Sequence, residues 1–285
     1  INNLEAKATR GSVLLTNTGH LTIGGITELQ GVVAEQGITI TAMSPMTVDK
    51  DIVSHTGSVV LHTNDDAIDG SSVTDDDLTI QNSATVEATL GSVTLNVGDD
   101  LLLDVDASLV AGQDITVNAD WLSADADGSN VILQGKIDAQ RIYVNGGIQD
   151  DTILFDVQRI DGDTFVNGGL GEDLITINKL HTRDIDPSTG TYERFVLDGG
   201  ANTDRYVINR TGADAGYIID VEDSGLRNDG ADTLTINGTA QDDTFLLRAK
   251  FVAALHGESV TTVERINYNE NINARLTING HAGAD

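Results

Sequence analysis

The sequence predicts an all-β protein with one architecture, an elongated right-handed parallel β-helix, or β-solenoid. Three observations predict it: short runs of alternating apolar and polar residues, a recurrence of these runs about every 20 residues, and corners rich in Gly and Asp between them. Alternation with a period of two is typical of half-buried strands, whereas an amphipathic helix repeats its apolar residues at 3.6. Because one turn of such a coil cannot bury its apolar face alone, the turns are expected to stack.

The first segment, residues 1–125, is predicted to consist of short strands between small polar turns. Ile38, Ser58 and Leu78 begin successive runs and lie 20 residues apart. A repeat of this length is typical of solenoids. An ordinary β-sandwich with alternating strands stays open as the alternative, although a sandwich needs neither a regular spacing nor so many Asp-Gly corners.

Several runs of the first segment share a Gly-Ser-Val opening. The copies are Gly11-Ser12-Val13, Gly57-Ser58-Val59 and Gly91-Ser92-Val93. This pattern resembles the repeats of filamentous-haemagglutinin-type adhesins of bacteria, over residues 10–120. The resemblance implies a right-handed parallel β-helix that is displayed outside the cell.

The second segment, residues 126–285, is expected to continue the first and carries explicit corners, in which a glycine turn holding an aspartate leads into a strand. The best-preserved copy runs from Asn167 through Gly168 and Asp173 into Leu174-Ile175-Thr176. Glycine accepts sharp bends that other residues resist. A shorter relative of this corner covers residues 228–234. The aspartates at matching positions are Asp151, Asp173, Asp204, Asp243 and Asp285.

These corners resemble degenerate repeats-in-toxin (RTX) motifs, the calcium-binding nonapeptides of proteins exported by bacterial type I secretion. The resemblance implies that the five corner aspartates and the turn carbonyls ligate calcium between neighbouring turns. The spacing departs from that family, whose nonapeptides follow one another directly. Here the interval grows from 22 residues (151 to 173) to 42 (243 to 285). Large repeat-rich surface proteins of bacteria, with such corners along a β-solenoid, are the closer match.

Stacked corner aspartates bring negative charges together. At one strand spacing, ~4.8 Å, two unscreened carboxylates repel by roughly 3.5 kcal/mol at an effective dielectric constant near 20. Calcium offsets such repulsion because it accepts many oxygen ligands in flexible geometry. The alternative is that each aspartate bonds the backbone of its own turn and stays solvated.

Composition narrows the partners and the compartment. The chain of 285 residues has 45 acidic and 16 basic residues and a net charge of −29, so nucleic acid, which needs a basic face, is not expected as a partner. Ten of the acidic residues are Glu and the others are Asp, the acid that turns and metal sites prefer. The chain has no Cys, which excludes disulfides and thiolate metal sites. It also has no apolar run of the ~18 residues that a membrane span needs.

The function predicted from these features is structural. We expect a rigid segment of a very large secreted or cell-surface bacterial protein, exported by type I or two-partner secretion, that serves as an adhesin, filament or matrix component. No catalytic pattern is recognised, so no enzyme activity is predicted. The expected partners are neighbouring solenoid segments or end-to-end copies, since neither end of the chain resembles a cap, and host or matrix glycans. The alternative is a β-helix lyase, hydrolase or epimerase acting on acidic polysaccharide, which a groove with two convergent carboxylates and a basic residue would favour.

Overall fold

The regular elements of the protein are β-strands. The structure is a computed structural model that describes residues 1–27, 31–43, 45–64, 76–81, 83–122, 126–186, 190–212, 215–255 and 263–283. Within these ranges it contains thirty strands, and none of the described residues forms a helix that would cross a membrane. The prediction of an all-β protein is confirmed.

The strands are short before residue 118 and more variable after it. The first fifteen are β1 (Asn3–Leu4), β2 (Ala6–Ala8), β3 (Val13–Asn17), β4 (Leu21–Ile23), β5 (Val32–Ala34), β6 (Ile38–Ala42), β7 (Met46–Val48), β8 (Ile52–Ser54), β9 (Val59–Thr63), β10 (Leu78–Ile80), β11 (Thr85–Ala88), β12 (Val93–Asn96), β13 (Leu101–Leu103), β14 (Ser108–Ala111) and β15 (Asp114–Asn118). The others are β16 (Asn130–Leu133), β17 (Lys136–Gly147), β18 (Thr152–Asp156), β19 (Arg159–Leu170), β20 (Leu174–Lys179), β21 (Ile185–Asp186), β22 (Thr191–Tyr192), β23 (Phe195–Ala201), β24 (Arg205–Asn209), β25 (Tyr217–Val221), β26 (Thr233–Asn237), β27 (Thr244–Arg248), β28 (Phe251–Leu255), β29 (Val263–Tyr268) and β30 (Arg275–Asn279).

Three parallel ladders run through the first fifteen strands, because each strand pairs with the third strand after it. The first ladder contains β1, β4, β7, β10 and β13. The second contains β2, β5, β8, β11 and β14, and the third contains β3, β6, β9, β12 and β15. Three consecutive strands therefore bring the chain back to the first ladder, one strand spacing further on. The prediction of parallel sheets is confirmed.

Aliphatic side chains in register form columns that make up the core. In the third ladder, Val13, Ile38, Val59, Val93 and Ile115 stack on one another, and the last four are 0% exposed. Burial alternates along the strands, as in β6 and β9. β-Branched residues fit this pleated, half-buried surface, and burial of each such side chain contributes about 1.5–3 kcal/mol. The columns thus bind each turn to the next.

The ladders continue past residue 118 with longer strands. Leu101 pairs with Val131, which carries the first ladder across the predicted segment boundary at 125/126. This ladder then runs through β16, β18, β20, β24, β26 and β30. β17 and β19, of 12 residues each, pair with both other ladders and join them into one sheet. That sheet continues through β23, β25 and β29.

Insertions of different lengths separate the later strands of the first ladder. The interval between paired residues is 22 from Ile153 to Ile175, 31 from Ile175 to Tyr206, 28 from Tyr206 to Leu234 and 42 from Leu234 to Leu276. The longest interval contains β27 and β28, which pair antiparallel with each other, and β28 also pairs antiparallel with β29. β21 and β22 form another antiparallel pair. Strand pairing, not a fixed sequence period, therefore defines the repeat.

Candidate metal centre

Corner aspartates of the first ladder lie against a glycine five residues earlier in the chain. A Cβ on Gly168 would stand closer than 3.0 Å to Oδ2 of Asp173. A larger residue at this position would therefore collide with the carboxylate. The same relation holds at two further corners of this ladder, Gly146 with Asp151 and Gly199 with Asp204, and also at the Asp243 corner outside it, with Gly238. The glycine makes room for a buried carboxylate in addition to bending the chain.

The corner aspartates form a hydrogen-bonded ladder across the turns. Oδ1 of Asp173 accepts the backbone N–H of Asp151 at 2.8 Å, and Oδ1 of Asp204 accepts the N–H of Asp173 at 2.9 Å. Oδ1 of Asp232 accepts the N–H of Asp204 at 2.9 Å. All four residues are only 1% exposed. Each bond joins two turns, so the alternative of a solvated aspartate that bonds its own turn does not hold at these positions.

The second carboxylate oxygen of three of these residues is buried and has no hydrogen-bond partner: Asp151, Asp173 and Asp204. Burial, which disfavours the charged form of a carboxyl, raises the pKa of Asp151 to about 6, that of Asp173 to about 8 and that of Asp204 to about 7. The charges of neighbouring aspartates add to each rise. A proton or a cation would satisfy these buried oxygens.

Asp204 also belongs to a cluster of three buried carboxylates. Asp204, Asp223 and Asp232 each offer one oxygen atom, and these three atoms lie within 4.8 Å of one another. The residues are 1%, 2% and 1% exposed, respectively. Asp204 and Asp232 directly precede β24 and β26, successive strands of the first ladder, and Asp223 follows β25 of the other sheet. The stacking of two turns therefore assembles the cluster.

Like charges dominate this aspartate cluster. Burial raises the pKa of Asp223 to about 7, and the charges of Asp232 and Asp204 add to that rise. Burial also raises the pKa of Asp232, and the charge of Asp229 adds to it. Two ionised carboxylates at 4.8 Å repel by roughly 3.5 kcal/mol at an effective dielectric constant of 20. Carboxylate oxygens are the ligands of hard cations such as Ca²⁺ and Mg²⁺, rather than of Zn²⁺ in structural sites.

Tyr206 lies beside the cluster and fixes its geometry. The Tyr206 hydroxyl accepts the N–H of Gly199 at 2.5 Å and donates to Oδ2 of Asp223 at 3.3 Å. Burial and the charge of Asp223 raise the pKa of Tyr206, so the phenol stays protonated and acts as a donor. A Cβ on Gly199 would stand closer than 3.0 Å to both this hydroxyl and Oδ2 of Asp204. The unpartnered oxygen of Asp204 therefore faces the Tyr206 side of the cluster.

Asparagines from a distant segment hold the loop that carries Asp223. Nδ2 of Asn269 and Nδ2 of Asn271 donate to the carbonyl of Asp223 at 2.9 and 3.0 Å. Nδ2 of Asn273 donates to the carbonyl of Gly230 at 3.2 Å, near the end of the same loop. These contacts are neutral and lie outside the cluster, so the position of Asp223 does not rest on the acidic residues alone.

Asp243, another predicted calcium ligand, occupies a different environment. It precedes β27 of the antiparallel insertion instead of a strand of the first ladder, and its carboxylate pairs with Arg210. Arg210 also pairs with Glu264 at 2.5 Å, and all three side chains are at most 4% exposed. An arginine thus supplies the positive charge at this corner. The calcium site predicted at Asp285 lies outside the described residues.

Sequence reasoning missed two members of the cluster. Asp232 had a detectable signal, because it precedes the run Thr233-Leu234-Thr235-Ile236 as Asp173 precedes Leu174-Ile175-Thr176-Ile177. It was recognised only as part of a shorter corner. Asp223 has no local signal, since it reaches the cluster from the end of a strand in another sheet. Only the pairing of the turns brings it to Asp204.

Comparison with known proteins does not identify a family or a function for this chain. The resemblance to haemagglutinin-like and RTX repeats therefore stays a prediction. No protein-family model, curated protein or solved structure matches the chain.

Proposed function

We propose that the three ladders close around their common core into a right-handed parallel β-helix, and that this helix is a rigid structural segment of a larger secreted or cell-surface protein. The observation that carries the proposal is the parallel pairing of the first ladder, which passes through eleven strands from β1 to β30. The hand follows from the strong preference of parallel crossover connections for right-handedness.

The side chains between turns support a spacing role. Outside the aliphatic columns, asparagines repeat the inter-turn contact: Nδ2 of Asn118 donates to Oδ1 of Asn96 at 2.7 Å, and Nδ2 of Asn145 donates to Oδ1 of Asn118 at 2.9 Å. Backbone pairs, apolar columns and asparagine ladders all run in the same direction. Such a coil resists bending and keeps its two ends a fixed distance apart.

The proposed partners are neighbouring solenoid segments, copies of this chain stacked end to end, and glycans of a host or matrix. Among the described residues β1 and β30 pair on one side only within the first ladder. An unpaired strand edge is a template for a further strand, which supports partners that add turns. The net charge of −29 favours cations over polyanions near this surface.

Small-angle X-ray scattering of the chain tests the closed coil. Eleven strands stacked at ~4.8 Å predict an elongated particle with an axial length of about 48 Å for the ladder. A scattering profile of a compact sphere would contradict the proposal. An open sheet would be revealed by a flat cross-section.

Engineered cysteines test the register, because the chain has none of its own. Thr39 and Val60 pair in register across β6 and β9, so the variant with Thr39→Cys and Val60→Cys should form an intramolecular disulfide. The control variant with Thr39→Cys and His62→Cys is two residues out of register. It should not cross-link, because its Cα atoms lie beyond the ~7 Å that a disulfide can bridge. Cross-linking in the control alone would contradict the ladder.

A groove beside the antiparallel insertion favours a second candidate, an enzyme that acts on acidic polysaccharide. Asp220 and Glu222 line it together with Lys250 and Arg265, and the guanidinium of Arg265 lies 4.1 Å from the ring centre of Phe251. Two carboxylates beside basic residues form the combination that such chemistry requires. The groove is open on its outer side.

Incubation with acidic polysaccharides separates the two candidates. The structural proposal predicts no release of reducing ends or unsaturated sugars. Release that Arg265→Ala abolishes, with the fold intact, would favour the enzyme. Release that survives this substitution would show that the groove is not its site.

A further inference from the structure

We propose that Asp204, Asp223 and Asp232 bind one hard divalent cation, calcium, where two turns of the first ladder meet. The inference goes beyond the proposed function, because a spacer of parallel ladders needs no ion. It extends the calcium site predicted at the Asp204 corner by two donors that were not predicted, Asp223, which lies in no glycine corner, and Asp232. The aspartate cluster is a product of strand stacking.

The orphaned oxygen of Asp204 is the first argument for a ligand. Asp204 is 1% exposed, and its Oδ1 is occupied by the N–H of Asp173. Its Oδ2 has no hydrogen-bond partner and faces the Tyr206 side of the cluster. A buried charged oxygen without a partner is costly, and a cation shared with two more carboxylates removes that cost.

The charge around the cluster is the second argument. The charged groups that most affect the three carboxyls are other aspartates: Asp198 and Asp229, besides the three themselves. The corner at Asp243, by contrast, is neutralised by Arg210. At the Asp243 corner the protein itself supplies a cation, Arg210. At the Asp204 corner negative charge accumulates, and an external cation can balance it.

The rigidity of the donors is the third argument. Asp204 and Asp232 are held by the backbone of the first ladder, through the bond between the Asp204 N–H and Oδ1 of Asp232. Asp223 is held by Asn269 and Asn271. The donors are thus in place before an ion arrives, and binding does not have to order them.

Calcium fits this donor set better than magnesium or zinc. All three donors are carboxylates that offer one oxygen atom each, and calcium accepts further oxygens, including backbone carbonyls, in irregular geometry. Magnesium demands near-ideal octahedral geometry, which donors fixed by strand pairing cannot adjust to provide. Zinc prefers imidazole and thiolate ligands, and neither occurs in the cluster.

Calcium titration into the EGTA-stripped chain tests the site. We expect saturable binding by calorimetry and a rise in the unfolding temperature with calcium, because an ion that binds only the folded state stabilises it. Asp223→Asn should weaken calcium affinity by more than ~10-fold, since changes even outside the ligand shell of a metal site cost about that much. Magnesium at the same concentration should give a smaller rise.

The calcium-free form of Asp223→Asn distinguishes a binding residue from a merely structural one. Removal of one like charge should raise the unfolding temperature of this variant above that of the calcium-free parent, while its response to calcium disappears. Asp220→Asn is the matched control, because it removes the same charge from the same region of the chain outside the cluster. It should keep the calcium response of the parent.

Terbium locates the ion. Tb³⁺ replaces calcium at oxygen sites and luminesces when a nearby tyrosine is excited, and Tyr206 lies 3.3 Å from Asp223. The parent chain should therefore show sensitised luminescence that calcium quenches by competition. Tyr206→Phe should lose most of this signal.

Three results would overturn the proposal: no saturable calcium binding, an equal calcium response in Asp223→Asn and Asp220→Asn, or terbium luminescence that Asp223→Asn leaves unchanged. An equal response to magnesium would overturn the assignment to calcium. None of these results affects the scattering and cross-linking tests of the coil, because strand pairing does not depend on the ion. A compact scattering profile, conversely, would refute the spacer without changing the binding data.

Discussion

Two regions of the molecule use the same parallel ladders but fill them differently. In the first region, residues 1–118, the only ionisable side chain that is buried among the described residues is Asp76. In the second region, residues 119–283, ten Asp, Glu or Arg side chains are buried among the described residues: Asp120, Asp151, Asp173, Arg183, Asp204, Arg210, Asp223, Asp232, Asp243 and Glu264. Turns of aliphatic residues and turns of charged residues therefore belong to one continuous fold.

Strand pairing determines the fold in both regions. The side chains that fill the interior determine how the stability of each region responds to pH and to ions. Apolar columns are indifferent to pH and to ions. A buried carboxylate is stable only with a proton, a cation or a paired arginine, and the second region contains candidates for all three. We therefore expect changes of solution conditions to act on the second region and leave the first region largely unaffected.

The largest expected effect is the loss of the arginine at the centre of the buried ion-pair network. Arg210→Met should destabilise the protein by about 3–5 kcal/mol, because it removes the positive charge that pairs with the buried carboxylates of Asp243 and Glu264. Glu264, which is 0% exposed, also accepts the N–H groups of Thr211 and Gly212 and the hydroxyl of Tyr217, and these neutral donors do not replace that charge. Urea unfolding followed by circular dichroism measures the change.

Arg141→Met is the matched control for this substitution. Arg141 pairs with Asp114 of the first region at 2.9 Å, but its side chain is 54% exposed. Exposed ion pairs contribute little, since water solvates both partners. A loss as large as that of Arg210→Met would show that the difference between the two regions does not lie in buried charge.

The next effect is an inverted pH dependence of the calcium-free protein. The pKa is raised to about 6 for Asp151, to about 8 for Asp173 and to about 7 for Asp204. A carboxyl whose pKa is higher in the folded state binds its proton more tightly there, so its stabilisation is complete below about pH 4. That stabilisation is lost as the pH rises through the folded pKa. The unfolding temperature in EGTA should therefore fall between pH 5 and pH 8.

Asp173→Asn separates this effect from the general repulsion of an acidic chain. An asparagine keeps the acceptor for the Asp151 N–H and removes the titrating group, so the fall of the unfolding temperature with pH should become shallower. Asp114→Asn, in the first region, removes one half-buried charge that pairs with Arg141 and should leave the slope nearly unchanged. Equal slopes in the two variants would show that the buried ladder does not titrate in this range.

The strands of the first region were predictable because their signal is local. Runs beginning at Ile38 and Ser58 alternate apolar and polar residues, and the strands Ile38–Ala42 and Val59–Thr63 lie there. The regular spacing of those runs also indicated parallel stacking. The predicted spacing itself holds for one step only: Ile38 pairs with Val59, 21 residues on, but Val59 pairs with Val93, 34 residues on, and Leu78 belongs to the first ladder.

The aspartate cluster was only partly predictable because its register depends on the length of insertions. Asp204 was identified from its corner, whereas the next member of the ladder is Asp232 and not the predicted Asp243. Tyr206 pairs with Leu234, 28 residues later, so the aspartate that precedes the next strand of the ladder is Asp232. Asp243 falls in the antiparallel insertion. No local pattern distinguishes the two corners, as both place an aspartate just before a strand.

A smaller effect is expected from the corner glycines. Gly168→Ala should destabilise the protein by about 1–3 kcal/mol, the usual cost of overpacking, because its Cβ would collide with the carboxylate of Asp173. Gly11→Ala in the first region has nothing within 4 Å of the added Cβ. That control should be neutral or stabilising by up to ~1 kcal/mol through the unfolded state. Equal losses for both variants would indicate a backbone effect instead of a collision.

The smallest loss of stability is expected from substitutions in the asparagine ladder, the row of side-chain hydrogen bonds between turns that occurs in both regions. Asn118 donates to Asn96 and accepts from Asn145, at 2.7 and 2.9 Å. Asn209, in the second region, likewise donates to Asn178 and accepts from Asn237, at 2.9 and 2.7 Å.

Because each alanine substitution removes one such donor and one such acceptor at a half-buried position, Asn118→Ala and Asn209→Ala should each cost about 1–2 kcal/mol. Urea unfolding should give two losses that agree within ~0.5 kcal/mol, since each variant removes the same pair of hydrogen bonds. A clearly larger loss for Asn209→Ala would mean that the ladder contributes more beside the charged interior. The two regions would then differ in the whole turn and not in the core alone.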